Sequence, residues 1–387
     1  MKILSENYDL CFVDEAKAKE TFTKLNEADK WVDVTAKKVS AIPIENLPIF
    51  IHKIREEACI PEEVTDESVV ECMDSVNLGI KFPLDGIESC YPVAMTGYMS
   101  LLQRAGYQSS TALAGTEFKK EFSPMEPEKK ALVLNYGFET QGNKTIRALV
   151  RDEKIRYLAS DEYSKLPFSL LLSALREGLE KNFKDVEFES ATVNHEYMNA
   201  MYTVKDDFLD EEMKDILARA GIKKAYSLGV RLTSSDVGLS GANLYPFIVG
   251  DSKRFAIGKP VSLEHKGGHN VEDFLENVNK IFAIIRESEH ALEDMSLERI
   301  KNPAGAFRRV CKAVGLPKKV CMDASFRFEK MYANPTFLDV YFAVYEVFDE
   351  YVSSASITQS YTLTLEEGIA RLLYSKRSEY DSPFEWA

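Results

Sequence analysis

Two stretches of this sequence place chemically able side chains where a strand should stop. One is Ile146–Pro167, IRALVRDEKIRYLASDEYSKLP; the other is Tyr226–Gly250, YSLGVRLTSSDVGLSGANLYPFIVG. Each runs from β-type residues into a polar, turn-forming cluster that sets Ser beside Asp, and a buried strand needs no such cluster. In the first, Arg147, Arg151 and Arg156 flank a hairpin that Ser160, Asp161 and Tyr163 close. Period two puts Arg147 and Arg151 on one sheet face. Two guanidiniums there can hold a phosphate or a nucleic-acid backbone, or pair with carboxylates of neighbouring strands. Ser160 and Asp161 also suit a plain turn and helix cap. In the second stretch, Ser234, Ser235 and Asp236 precede Gly238 and Gly241. That composition makes either a loop that aims backbone amides at an anion or an ordinary turn or bulge.

Two further groups carry charge. His265 and His269 lie in HKGGH, where the paired glycines make a loop, so their spacing implies no shared metal. His265 and Lys266 on such a loop suit contact with a phosphate, or simple solvation. Arg308, Arg309 and Lys312 fall on a helix expected over 303–314 and point away from its apolar stripe of Phe307, Val310, Cys311 and Val314. They form a solvated face or a phosphate-contacting patch. No phosphate-binding P-loop, dinucleotide fingerprint or HExxH zinc motif is present, and no cofactor or metal is expected from the sequence.

The elements that must position these residues follow from composition and period. The chain has 387 residues, 45% hydrophobic and 28% charged, which is globular and long enough for two or three packed subregions. The start of the chain lacks a signal-peptide core, and apolar runs fall far short of a membrane span, so the expectation is a cytoplasmic protein with no membrane partner. The six cysteines, Cys11, Cys59, Cys72, Cys90, Cys311 and Cys321, are scattered and expected to be free thiols. A net charge of −14 disfavours non-specific wrapping of duplex DNA. The charge is uneven: Glu45–Asp74 holds nine acidic against two basic residues, whereas Lys301–Lys330 holds eight basic against two acidic.

Periodicity predicts strands at 31–34, 39–44, 131–138, 145–151, 154–160, 186–193, 198–204, 225–233, 242–249 and 254–263. It predicts helices at 47–59, 91–105, 167–183, from 271 onward, 303–314, 337–348 and 365–374, with Thr116–Lys130 as a loop. The fold class is therefore α+β: a largely antiparallel central sheet with a C-terminal helical layer. The expected division is 1–90 as an N-terminal mixed region, 91–270 as a strand-rich core, and 271–387 as a helical region packed on it.

Residues 148–167, ALVRDEKIRYLASDEYSKLP, resemble the "R-x-x-L-S-x-x-Y" element of the phage/plasmid-like protein family of unknown function (domain of unknown function nine-three-two). RLTSSDVGLSGANLYPFIV, 231–249, resembles that family's "Asn-Ser-Glu-Val-Gly" strand end, with Ser234, Ser235 and Asp236 in place of the first three. LEHKGG, 263–268, and FLDVYFAVYEV, 337–347, resemble its later elements, so the resemblance covers about 90–375 in one order. A Cys-Asn-Gly that often follows the second element is replaced by Gly250-Asp251-Ser252. The resemblance implies carriage by a phage, prophage or plasmid and supplies no activity. Taken with the arginines and the basic segment, it leads to an expected accessory protein that acts by binding single-stranded DNA or a host protein, with homo-oligomers open. The alternatives are phosphoester chemistry at the Ser/Asp/Arg cluster, and an acidic self-assembling or DNA-mimic protein.

Overall fold

The computed structural model describes residues 9–44, 51–52, 55–56, 60–71, 78–84, 86–107, 125–205, 213–218, 226–250, 253–331, 333–355, 357 and 359–386. In chain order the elements are β1 (Leu10–Phe12), α1 (Glu15–Ala28), β2 (Lys30–Thr35), β3 (Ser40–Pro43), α2 (Asp66–Glu71), β4 (Leu78–Leu84), β5 (Ile87–Pro92), α3 (Met95–Arg104) and α4 (Pro127–Gln141). There follow β6 (Thr145–Arg151), β7 (Lys154–Ser160), α5 (Phe168–Asn182), β8 (Asp185–Val193), β9 (Met198–Lys205), β10 (Tyr226–Ser234), β11 (Ala242–Gly250), β12 (Lys253–Ala256) and β13 (Val261–Leu263). The chain closes with α6 (Val271–Leu297), α7 (Pro303–Val314), α8 (Lys318–Met331), α9 (Phe337–Ser354) and α10 (Gln359–Ala370).

An antiparallel sheet in the order β1-β8-β9-β10-β11-β12, with β13 also on β11, forms the centre. Strict alternation builds its inner face: Met198, Ala200, Tyr202 and Val204 on β9 align with Leu228, Val230 and Leu232 on β10, and all are buried. This face, α1 (through Ala18, Phe22 and Leu25), α5 and the C-terminal helices share one continuous core, while Glu366 and Glu367 of α10 meet Arg231 and Tyr245 on the sheet's other face. The α+β class with an antiparallel sheet and C-terminal helices is thus the observed one. The N-terminal strands are shared out between sheets, since β1 pairs with β8 and β2 with β6. Among the described residues no helix is long and apolar enough to cross a membrane.

A second core lies under two small antiparallel sheets, β2-β6-β7 and β3-β4-β5, closed by α3 and α4. One face of β6 and β2 supplies Ile146, Ala148, Val150 and Val34 to it. The other face presents Arg147 opposite Asp33, and the same register carries Arg151 to Asp29, the residue that ends α1 and leads into β2. Asp152 and Glu153 close the β6–β7 hairpin, both at positive φ (52° and 59°), the backbone of a two-residue primed turn. A bulge in β7 leaves Arg156 as the extra residue between Leu149–Tyr157 and Val150–Ile155.

Several predicted elements need correction. Residues 131–138 are helical within α4: Ala131, Leu134 and Phe138 are buried at i, i+3 and i+7, and Pro127 opens the first turn. That helix also takes the end of the expected 116–130 loop, whose 116–124 lie outside the described residues, as does most of the 47–59 helix. The helix expected from Tyr91 starts at Met95, because Tyr91 and Pro92 continue β5 against β4. The single strand expected over 254–263 is split into β12 and β13, around Gly258 and Pro260. The helices α1 and α8 were not anticipated.

Candidate functional site

The strand-end clusters meet where the two cores abut. Arg151 is completely buried, and its Nε and Nη2 donate to Asp29 Oδ1 and Oδ2 at 2.6 and 2.7 Å in a bidentate pair. Nη2 also bonds Asp236 Oδ2, in the loop after β10. One guanidinium thus ties α1, the small β2-β6-β7 sheet and the large sheet. Burial pushes the Asp29 carboxyl above its ordinary value against the pull of Arg151, with the charges of Asp236 and Asp152 adding to the rise. Gly238 lets this loop lie flat: its φ is +75°, and a Cβ there would overlap the Tyr157 ring on β7.

Tyr163 fills the space between the strands. Its ring stacks on Trp31 of β2 and on His265, with centroids 5.2 Å away in both cases, and its hydroxyl donates to the Asp236 carbonyl at 3.1 Å. A short antiparallel bridge, Tyr163 to Lys266, brings in the glycine loop, and Ser164 N donates to His265 O at 3.0 Å. His265 is half-buried, and desolvation lowers its pKa below the usual imidazole value, which favours the neutral ring. Its Nδ1 lies 3.1 Å from the Ser164 carbonyl, which can only accept. Nδ1 therefore carries the proton, and Nε2 accepts from Ser234 Oγ at 3.2 Å.

Ser234 faces a cavity of about 180 Å³ lined also by Asn26, Asp29, Trp31, Tyr163, Lys165, Leu166, Pro167, Phe168, Met198 and Asp236. That exceeds the roughly 150 Å³ that holds a benzene ring. Each wall has a local cause. Asn26, two residues before the end of α1, accepts from Ser169 N and Oγ at 3.3 and 2.9 Å and so fixes the start of α5. Phe168, the first residue of that helix, stands edge-on to Phe22 at 4.7 Å. Lys165, exposed at the rim, sits over the Trp31 ring with Nζ 5.5 Å from its centroid.

The expected residues divide accordingly. Arg151, Tyr163, Ser234, Asp236 and His265 come together. Arg147 lies at the edge, donating to Asp33 at 2.7 and 3.0 Å and to the Tyr163 carbonyl at 2.6 Å. Arg156 is buried within 3.9 Å of Asp152. Ser160 receives the Tyr163 amide on its carbonyl, Asp161 is exposed, and Ser235 Oγ accepts from Leu239 N. Lys266 pairs with Glu264 on the surface at 2.5 Å. Arg308, Arg309 and Lys312 belong elsewhere: Arg308 bonds Ser325 Oγ at 2.8 Å and lies over Phe326, while Arg309 and Lys312 both lie over Phe384. Asp29, Trp31, Asn26, Lys165 and Met198 are site residues that sequence reasoning missed. For Asp29 the available signal was its place two residues before Trp31, between a helical and a strand-like run. Comparison with protein-family models, curated proteins and solved structures finds no match to this chain.

Proposed function

We propose that the protein binds a small amphipathic molecule carrying an ammonium or other N–H donor beside an apolar body, in the cavity between its two cores. One observation carries this reading. In this partly open space the charged groups on the wall are the carboxylates of Asp29 and Asp236 and the Lys165 ammonium, with Arg151 behind the two carboxylates. Two anionic side chains against one cation on the wall favour a cationic or N–H-donating ligand. Among the described residues the bonds to Asp236 reach Oδ2, which leaves Oδ1 for a ligand donor. Leu166, Phe168 and Met198 offer an apolar wall. A phosphate would face the two carboxylates with Lys165 as the single lining cation, which disfavours the phosphoester alternative. The nucleic-acid reading loses weight for a related reason: Arg151 and Arg156 are buried, and Arg147, Arg308 and Arg309 are already held inside the chain. We place this binding in the cytoplasm, which suits the free thiols of Cys11, Cys90, Cys311 and Cys321.

The test is a thermal-shift and calorimetric titration with isoamylamine and leucinamide, against isocaproate as an anion with a similar body. The amines should stabilise the wild type and not Asp236→Asn. Equal response to the anion, or an unchanged response in Asp236→Asn, would reject the reading.

A further inference from the structure

We infer that Ser234 and His265 form a nucleophile–base pair that hydrolyses a small ester or activated amide held in this cavity. The inference rests on the binding reading for its substrate class, an acyl compound with an amino group near the carbonyl, and on separate geometry for its chemistry. A serine hydroxyl is a weak nucleophile unless a base takes its proton, and the base must itself be held in one tautomer. Here the Ser164 carbonyl fixes the proton on Nδ1 at 3.1 Å, and Nε2 meets Ser234 Oγ at 3.2 Å. Tyr163 holds the imidazole plane by lying parallel to it, with 4° between the rings. Ser234 is the member of the pair on the cavity wall, with His265 behind it. A serine bonded to histidine only for structural reasons has no need to border a space large enough for a substrate.

The reaction balances without a cofactor. Ser234 Oγ attacks the acyl carbon as its proton passes to His265 Nε2. The tetrahedral adduct expels the alcohol or amine, which leaves with that proton, and the acyl group remains on Ser234. A water molecule then attacks the acyl-serine, gives its proton to Nε2, and the acid departs as the proton returns to Oγ. The net change is one ester or amide plus one water to one acid and one alcohol or amine. An amino group on Asp236, two residues beyond the nucleophile, would orient an α-amino acyl compound in this sense.

The experiment is labelling of the intact protein with an alkyl fluorophosphonate, followed by peptide mass spectrometry and by hydrolysis of leucine para-nitrophenyl ester. The adduct should map to Ser234. Ser234→Ala should abolish both signals, and His265→Gln should slow them by about 100-fold or more, in keeping with loss of a general base. Ser354→Ala, on α9, should label like the wild type. Circular dichroism of each variant separates loss of chemistry from loss of fold. The wild type supplies a second readout that needs no variant: its labelling rate should fall as acid protonates the imidazole. An absent or pH-independent Ser234 adduct in protein that still binds leucinamide would overturn the pair and leave the binding reading standing. A Ser234 adduct without amine binding would uphold the pair and remove the proposed substrate class.

Discussion

Arg151 is the side chain on which the junction depends most. It is fully buried and holds two carboxylates, so its removal leaves Asp29 and Asp236 facing one another without a counter-charge. Breaking a buried pair from one side costs about 3–5 kcal/mol, far more than losing an exposed one. Arg151→Ala should therefore lower stability by that order in denaturant titrations near neutral pH, and by less where the carboxylates are protonated. A loss under about 1 kcal/mol would mean that the pair is as weak as a surface one. His265 gives a pH-dependent signature of opposite origin. Its folded pKa lies below 6.5, through burial that outweighs the Ser164 carbonyl and the charge of Asp236. Between the two values the unfolded chain binds the extra proton, so stability is complete above about pH 6.5 and falls as pH drops through the folded pKa. Melting temperatures at about pH 7.5 and 5.5 should differ less in His265→Gln than in the wild type. An unchanged difference would show that this imidazole does not titrate on unfolding.

At the scale of elements, the β6–β7 hairpin and the loop after β10 set the site, and both bend at positive φ. Glu153 occupies φ +59° without being glycine or asparagine, in a primed turn that favours Asn-Gly or Asp-Gly. Its exposed pair with Lys30, at 3.8 Å, adds little. Glu153→Gly should therefore raise stability by about 0.5–1 kcal/mol in chemical denaturation, and a loss would show that the turn tolerates its side chain without strain. Gly238→Ala should do the reverse and displace the loop from Tyr157, weakening the Asp236–Arg151 contact. The sequence made this hairpin readable because strands and turn residues are local signals. Arg151, Ser234, Asp236 and His265 could be named for the same reason. Asp29 could not, since its role depends on a helix end meeting β6 across 122 positions. The wrong strand over 131–138 has a related cause: ALVLNYGF is as apolar as a buried strand, and only the tertiary face it covers reveals the helical period. The basic helix after Pro303 showed its stripe correctly, while the aromatic partners of Arg309 and Lys312 lay over 70 residues away in the tail.

At the scale of the molecule, two cores of unequal size share one polar seam. The larger holds the seven-stranded sheet and the C-terminal helices; the smaller holds β2 to β7 with α3 and α4. Apolar burial is non-directional and would let the two bodies slide, whereas a bidentate guanidinium pair fixes distance and angle. The seam is made of Asp29 at the end of α1, Arg151 on the small sheet and Asp236 on the large one, with Tyr163 packed between Trp31 and His265. It follows that the seam couples the unfolding of the two cores. Wild-type protein should unfold in a calorimeter as one dominant transition. Arg151→Met, which keeps the bulk and removes the charge, should split it so that the smaller core melts first. An amine ligand bound at Asp236 should stabilise both parts together in the wild type, because its site exists only while they are joined. A single transition in Arg151→Met, shifted as a whole, would show that apolar contacts suffice to hold the cores and that the ion cluster serves the cavity alone.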